Sequence, residues 1–170
     1  MNLREFIRDV HDFPKPGIVF KDISPLLAAP DALKFAILSL ADRFNETGAT
    51  KILGAEARGF IFGAALACHM NVGFVPVRKP GKLPHKTLSV TYDLEYGSDT
   101  LCIHEDSIEP GEKVLVIDDV LATGGTISGI LQLLQFVDAD VVGIGFLMEL
   151  GFLNGRDKLH GHQTESLLMY

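Results

Sequence analysis

Short apolar strands alternating with helices predict an α/β fold, with an open, mainly parallel, twisted sheet flanked by helices. Three observations carry this. Strand-like and helix-like segments succeed one another along the chain. The strand-like runs, of which Val114-Leu115-Val116-Ile117 is the clearest, are continuously apolar, as strands covered on both faces are. The chain has 170 residues, 47% of them hydrophobic, which suits one packed core and hence a single domain over residues 1–170.

Taken in order, residues 3–10 read as a short amphipathic helix, which Phe13-Pro14-Lys15-Pro16-Gly17 ends in a loop. Residues 31–44 form a helix with Leu33, Ile37, Leu40, Ala41 and Phe44 on one face. Residues 51–54 are a short buried strand. Residues 58–70, apolar nearly all round, form a well-buried helix. Strands follow at 73–77 and 114–117, then a helix at 126–136 and a strand at 141–148. Between Arg78 and Ser98 lies a long stretch with Gly, Pro and charges but no deep periodicity, of the kind that serves function or moves. Residues 156–170 return as a short helix and an edge strand.

Composition narrows the function. A net charge of −7 argues against nucleic-acid or membrane binding, so an anionic ligand needs a local basic cluster. Two cysteines, Cys68 and Cys102, are too few for a disulfide framework and read as reduced thiols. The first residues are neither a signal nor a transit peptide, and no apolar run approaches the ~20 residues that span a bilayer. The expectation is a cytoplasmic protein. His11, His69, His104, His160 and His162 lack metal-ligand spacing and read as structural or surface residues.

The decisive run is 114–126. A buried strand ends in Asp118 and Asp119, a small-residue loop follows, and a helix begins. Ligands of open α/β sheets bind outside the carboxyl ends of the strands. A helix start offers unpaired amides and a positive dipole end. Gly124 and Gly125 let the backbone curl round an anion, and Thr123 and Thr126 add hydroxyl donors. The loop lacks the G-x-x-x-x-G-K-[ST] pattern of a P-loop. Carboxylates beside a phosphate make sense if they accept hydrogen bonds from sugar hydroxyls one ribose away, or help position Mg²⁺.

This run resembles the phosphoribosyl pyrophosphate (PRPP) signature of the type I phosphoribosyltransferase family. Four further stretches resemble its adenine-specific members: 13–25 (the N-terminal signature), Glu56-Ala57-Arg58-Gly59-Phe60 (the pyrophosphate loop), 78–84 (the lid entrance) and Leu94-Glu95-Tyr96-Gly97 (the catalytic loop). Lys21 departs from the usual Arg, Cys102 from the usual Glu, and the stretch after Gly155 matches poorly.

The resemblance implies the type I phosphoribosyltransferase fold, with a small hood from the N-terminal segment and a mobile lid loop. It implies purine salvage, adenine and PRPP giving AMP and pyrophosphate. Asp118 and Asp119 would hold the ribose hydroxyls, and Ala122, Thr123, Gly124, Gly125 and Thr126 the 5′-phosphate. Glu56, Ala57, Arg58, Arg78, Lys79, Lys82 and His85 would meet pyrophosphate, with Lys86 adding charge nearby. Glu95, Tyr96 and Arg58 would be catalytic, Glu95 as general acid/base and Tyr96 in lid closure. Val19, Phe20, Lys21 and Val120 would surround adenine. No residue is assigned as a metal ligand: Mg²⁺ would arrive mainly on the substrate. A cis peptide between Glu56 and Ala57 and a homodimer are also implied. A 6-oxopurine phosphoribosyltransferase and a non-catalytic PRPP-sensing module are the alternatives. The first needs a donor to O6, for which the loop after the phosphate cradle offers no counterpart, and the second usually adds a DNA-binding element.

Overall fold

A computed structural model describes residues 1–93 and 97–170. Its centre is a five-stranded sheet of β3 (Lys51–Ala55), β4 (Gly73–Val77), β7 (Lys113–Leu121), β8 (Asp140–Glu149) and β9 (Thr164–Met169). The order is β4-β3-β7-β8-β9 and every pairing is parallel. Helices α3 (Gly59–Met70) and α4 (Gly125–Phe136) supply the β3–β4 and β7–β8 crossovers, and a short α1 (Ser24–Ala28) and the longer α2 (Pro30–Phe44) precede β3.

Period-two alternation along β7 assigns its side chains to two cores. Leu115 and Ile117 join Leu40, Phe44, Phe62 and Leu66 on the side of α2 and α3. Val114 and Val116 join Ile127, Ile130 and Leu133 on the side of α4. Both faces are therefore covered, as continuous apolar runs require.

Three expectations are corrected. Residues 3–10 are not one helix. A 3-10 turn, Leu3–Phe6, leads into strand β1 (Arg8–His11), which pairs antiparallel with β2 (Val19–Asp22). The 12–18 loop turns the chain back through Asp12 and Gly17, both at positive φ, with the Gly17 amide on Asp12 Oδ1 at 2.8 Å. This return gives β1 backbone partners, and they override the helical spacing of its side chains. The stretch 78–98 contains strand β5 (Thr87–Asp93), paired with β6 (Ser98–His104) in a two-stranded hairpin. Its inward Val90 and Tyr92 are buried among the side chains of the α4 core. Finally, α3 buries only one side; Ile61 and Cys68 are exposed on the other. The other predicted strands and helices fall where expected, including the edge strand β9; the short α1 is not among the predicted helices. The peptides Phe13–Pro14 and Glu56–Ala57 are cis. Among the described residues no helix is long and apolar enough to cross a membrane.

Candidate active site

β7 lies at the middle of the sheet and runs on to Leu121, so Asp118 and Asp119 sit within the strand instead of ending it. Both are buried, Asp118 at 9% and Asp119 at 4% exposure. After Leu121 the chain turns through Ala122, Thr123 and Gly124, the last at φ +75°, a conformation that glycine adopts without cost. Helix α4 then begins at Gly125, and its first internal bond joins the Ser128 amide to the Gly124 carbonyl at 2.9 Å. Gly124 has no side chain to cap the helix, so the first amides are left for an external acceptor. Residues 118–127 and 56–58 line a cleft of about 360 Å³.

Electrostatics make the acidic pair a site in waiting. Burial, reinforced by the neighbouring Asp119 charge, holds the Asp118 carboxyl well above the usual range. Burial also raises Asp119, against the opposing pull of Arg58. Asp118 Oδ1 accepts the Asp119 amide at 2.9 Å. Arg58 Nε stands 2.8 Å from Asp119 Oδ2, yet among the described residues no donor reaches that oxygen in hydrogen-bonding geometry. A buried carboxylate oxygen in that state is costly unless a ligand supplies the missing donor. Gly59, at the first position of α3, allows the close approach: a Cβ there would stand 2.8 Å from Asp118 Oδ1.

A second, smaller cavity of about 130 Å³ opens beside the first, beneath the β1–β2 hood. Val19, Phe20, Lys21 and Val120 all line it, together with Ile18, Met148 and Leu150. Arg58, Asp119, Val120 and Ala122 border both cavities. The Arg58 guanidinium lies 5.1 Å from the centroid of the Phe20 ring, an attractive cation–π contact that ties the hood to the acidic pair. The Lys21 ammonium is engaged by Asp9 at 2.7 Å and lies over the Tyr170 ring at 4.2 Å.

The basic residues of 78–86 behave differently. Arg78 reaches Glu56 with two nitrogens, each at 3.3 Å, and the Lys79 amide donates to Glu56 at 3.1 Å. These bonds hold the Glu56 carboxyl below its usual range. The Lys79 ammonium pairs with Asp99 on β6. Lys82 and His85 line neither cavity; His85 lies 3.9 Å from Asp106, and Lys86 lies 3.7 Å from Glu105, both at the surface. Glu95 and Tyr96 fall outside the described residues.

Ile18, Met148 and Leu150 were not singled out in the sequence. Ile18 lies within the N-terminal signature 13–25, and Met148 and Leu150 follow from β8 being the neighbour of β7, a fact of topology. Tyr92 is a further such residue. Its hydroxyl is within hydrogen-bonding reach of Asp99, at 3.4 Å, and of Thr126 in the loop, while burial raises its pKa. The alternation Leu88, Val90, Tyr92 is the signal that could have found it.

Comparison with known proteins agrees with this geometry. Residues 26–163 match the phosphoribosyl transferase domain. The chain is 64% identical over 168 residues to the adenine phosphoribosyltransferase of Solidesulfovibrio magneticus, covering 99% of this chain and 98% of that protein. The crystal structure of the adenine phosphoribosyltransferase of Thermoanaerobacter pseudethanolicus superposes with a TM-score of 0.96 at 49% identity, covering 99% of this chain and 100% of that one. That of Saccharomyces cerevisiae, complexed with an imino-altritol bisphosphate and adenine, gives 0.91 at 39% identity, covering 98% and 96%. With its parallel sheet, its loop of small residues and these full-length likenesses, the chain belongs to the phosphoribosyltransferase family, in its adenine phosphoribosyltransferase branch.

Proposed function

We propose that the protein joins adenine to PRPP, giving AMP and pyrophosphate, in purine salvage. The observation that carries this is the pair of adjoining cavities. An anion cradle at the start of α4 and an apolar slot under the hood share Arg58, Asp119, Val120 and Ala122. A phosphate and a planar base held in them face each other across a ribose beside Asp118 and Asp119. The yeast relative was solved with a bisphosphate and adenine together, which suits two such cavities.

In this reading the amides of 122–126 and the hydroxyls of Thr123 and Thr126 take the 5′-phosphate. Asp118 and the Asp119 oxygen that lacks a hydrogen bond among the described residues accept the ribose hydroxyls. Arg58, Arg78, Lys79, Lys82 and His85, with the Glu56–Ala57 backbone, attend pyrophosphate, and Arg58 also steadies the reacting centre. The slot lined by Val19, Phe20, Lys21 and Val120 holds adenine. At C1 of the ribose the bond to pyrophosphate breaks as the purine nitrogen bonds. The leaving pyrophosphate is neutralised by cations, Glu95 handles the purine proton, and Tyr96 helps close the lid. Mg²⁺ is assigned to the substrate, whose phosphates would carry it, and no residue of the chain is assigned as its ligand. A cytoplasmic setting follows from the free thiols Cys68 and Cys102. A homodimer suits the exposed Ile61 side of α3.

A 6-oxopurine would need a donor at O6. Lys21 lines the slot, but its ammonium is committed to Asp9 and Tyr170. Turnover of PRPP with adenine, guanine and hypoxanthine tests the reading. The expected result is AMP formation with adenine alone. Turnover of guanine or hypoxanthine would point to the 6-oxopurine enzyme, and PRPP binding without turnover to a sensing module.

A further inference from the structure

We infer that Gly155 and the Arg156–Glu149 pair form a buttress that sets the shape of the phosphate loop, making all three positioning residues for PRPP. The inference rests on the reading of 122–126 as a phosphate cradle. That loop is built of small residues with two glycines, so its own chain does little to fix it. A cradle works only if its amides are already aimed when the phosphate arrives.

One side of the loop faces the cleft, and another rests on Gly155. The contact is backbone on backbone. A Cβ on Gly124 would stand 2.6 Å from the Gly155 carbonyl oxygen. A Cβ on Gly155 would overlap the Ala122 carbonyl and stand 2.9 Å from the Gly124 nitrogen. Neither position has room for one added carbon, so the place of Gly155 dictates the place of the loop.

Gly155 is in turn held by its neighbour. Arg156 donates from Nε to Glu149 at 3.0 Å, from Nη2 to the other Glu149 oxygen at 2.5 Å, and from Nη1 to the Thr164 carbonyl at 2.9 Å. Ser166 Oγ donates to the same carboxylate at 2.9 Å. Glu149 is buried at 4% exposure and ends β8, where the Leu150 amide donates to the Leu121 carbonyl at 2.9 Å. Leu121 is the last residue of β7 before the loop. The chain of contact thus runs from the strand that launches the loop, through Glu149 and Arg156, to the glycine on which the loop rests. A guanidinium fork engaging fixed acceptors carries geometric specificity that a point charge lacks.

The test uses the full chain, with Gly155→Ala, Arg156→Lys and Arg156→Met beside Gly125→Val as a control within the loop. The readouts are KM for PRPP and for adenine, kcat, Tm, and ribose 5-phosphate binding by calorimetry. The expected result is a tenfold or greater rise in KM for PRPP and in the ribose 5-phosphate Kd for Gly155→Ala and Arg156→Met. KM for adenine should change less than threefold, and Arg156→Lys should recover part of the loss. Variants that lower Tm while raising both KM values alike would overturn the inference, leaving the network a matter of stability alone. So would unchanged PRPP binding in folded Gly155→Ala and Arg156→Met. If Gly125→Val itself left ribose 5-phosphate binding intact, the cradle reading would fall, and the buttress with it.

Discussion

β7 and β8 lie side by side, and each buries acid toward its carboxyl end, with opposite electrostatic outcomes. Glu149 on β8 receives two nitrogens from Arg156 and a hydroxyl from Ser166, and its pKa is held below the usual range, Arg156 being the main cause. Asp118 and Asp119 on β7 are comparably buried, lie next to each other, and have raised pKa values, with burial the main cause. Asp119 Oδ2 has the Arg58 cation 2.8 Å away but, among the described residues, no donor in hydrogen-bonding geometry. Depth is the same; provision of donors differs. A carboxylate that the fold has satisfied is part of the framework. One that the fold has buried and left short of donors is a place where a ligand completes the structure.

The contrast can be broken in three ways, beginning with the largest effect. Asp118→Asn with Asp119→Asn should lower kcat/KM by about 10²-fold or more, since hydrogen bonds to charged groups contribute roughly 1.5–3 kcal/mol each. Its Tm should stay level or rise, because an ionised pair that burial disfavours has been removed. Near wild-type kcat/KM would end the ribose assignment. Glu149→Gln should do the reverse in stability. It leaves Arg156 without its carboxylate, and because Arg156 is 43% exposed the loss should be about 1–3 kcal/mol, below that of a fully buried pair. Thermal unfolding should show Tm lower by roughly 2–10 °C for a chain of this size. A Tm above wild type would show that Glu149 is no framework residue.

The smallest effect is in the pH dependence, where the two variants should diverge in sign. The Asp pair has folded pKa values raised above 3.8, so the folded state holds those protons more tightly. Wild-type stability is therefore eroded as pH rises above about 4, and the double Asn variant should gain on wild type in that direction. Glu149 has a folded pKa depressed below 4.5, so its contribution is present above that value and lost as pH falls through the folded one. The deficit of Glu149→Gln should accordingly shrink in acid. Denaturant midpoints between pH 3 and 7 measure both curves, and parallel curves would erase the contrast.

The β7 side of this comparison was open to sequence reading, and the β8 side was not. Asp118, Asp119 and the loop after them lie within one continuous run, so strand, loop and helix start could be read together. Glu149, Arg156, Ser166 and Gly155 acquire meaning only when separate segments meet, and no local spacing announces that. The same division runs through the fold. Strands β3, β4, β7 and β8 carry their own apolar signal. β1 takes its form from pairing with β2 across the 12–18 loop, against helical spacing in its side chains. The β5–β6 hairpin did carry a signal, the alternation of Leu88, Val90 and Tyr92, but the Gly, Pro and charges just before it read as loop. Val19, Phe20, Lys21 and Val120, proposed to hold adenine, owed their selection to family resemblance; their neighbours in the slot, Met148 and Leu150, needed the strand order.

The ion pairs of Arg78 and Lys79 have a consequence for turnover. Without a ligand these cations are already neutralised, Arg78 by Glu56 and Lys79 by Asp99. An anion that engages them must trade places with two carboxylates, so its arrival rearranges ion pairs and adds few. Attraction is then weaker than the number of positive charges suggests, and departure is assisted, because each carboxylate waits within reach to reclaim its cation. A site arranged in this way favours passage over retention, so a product with several negative charges would be let go instead of trapped.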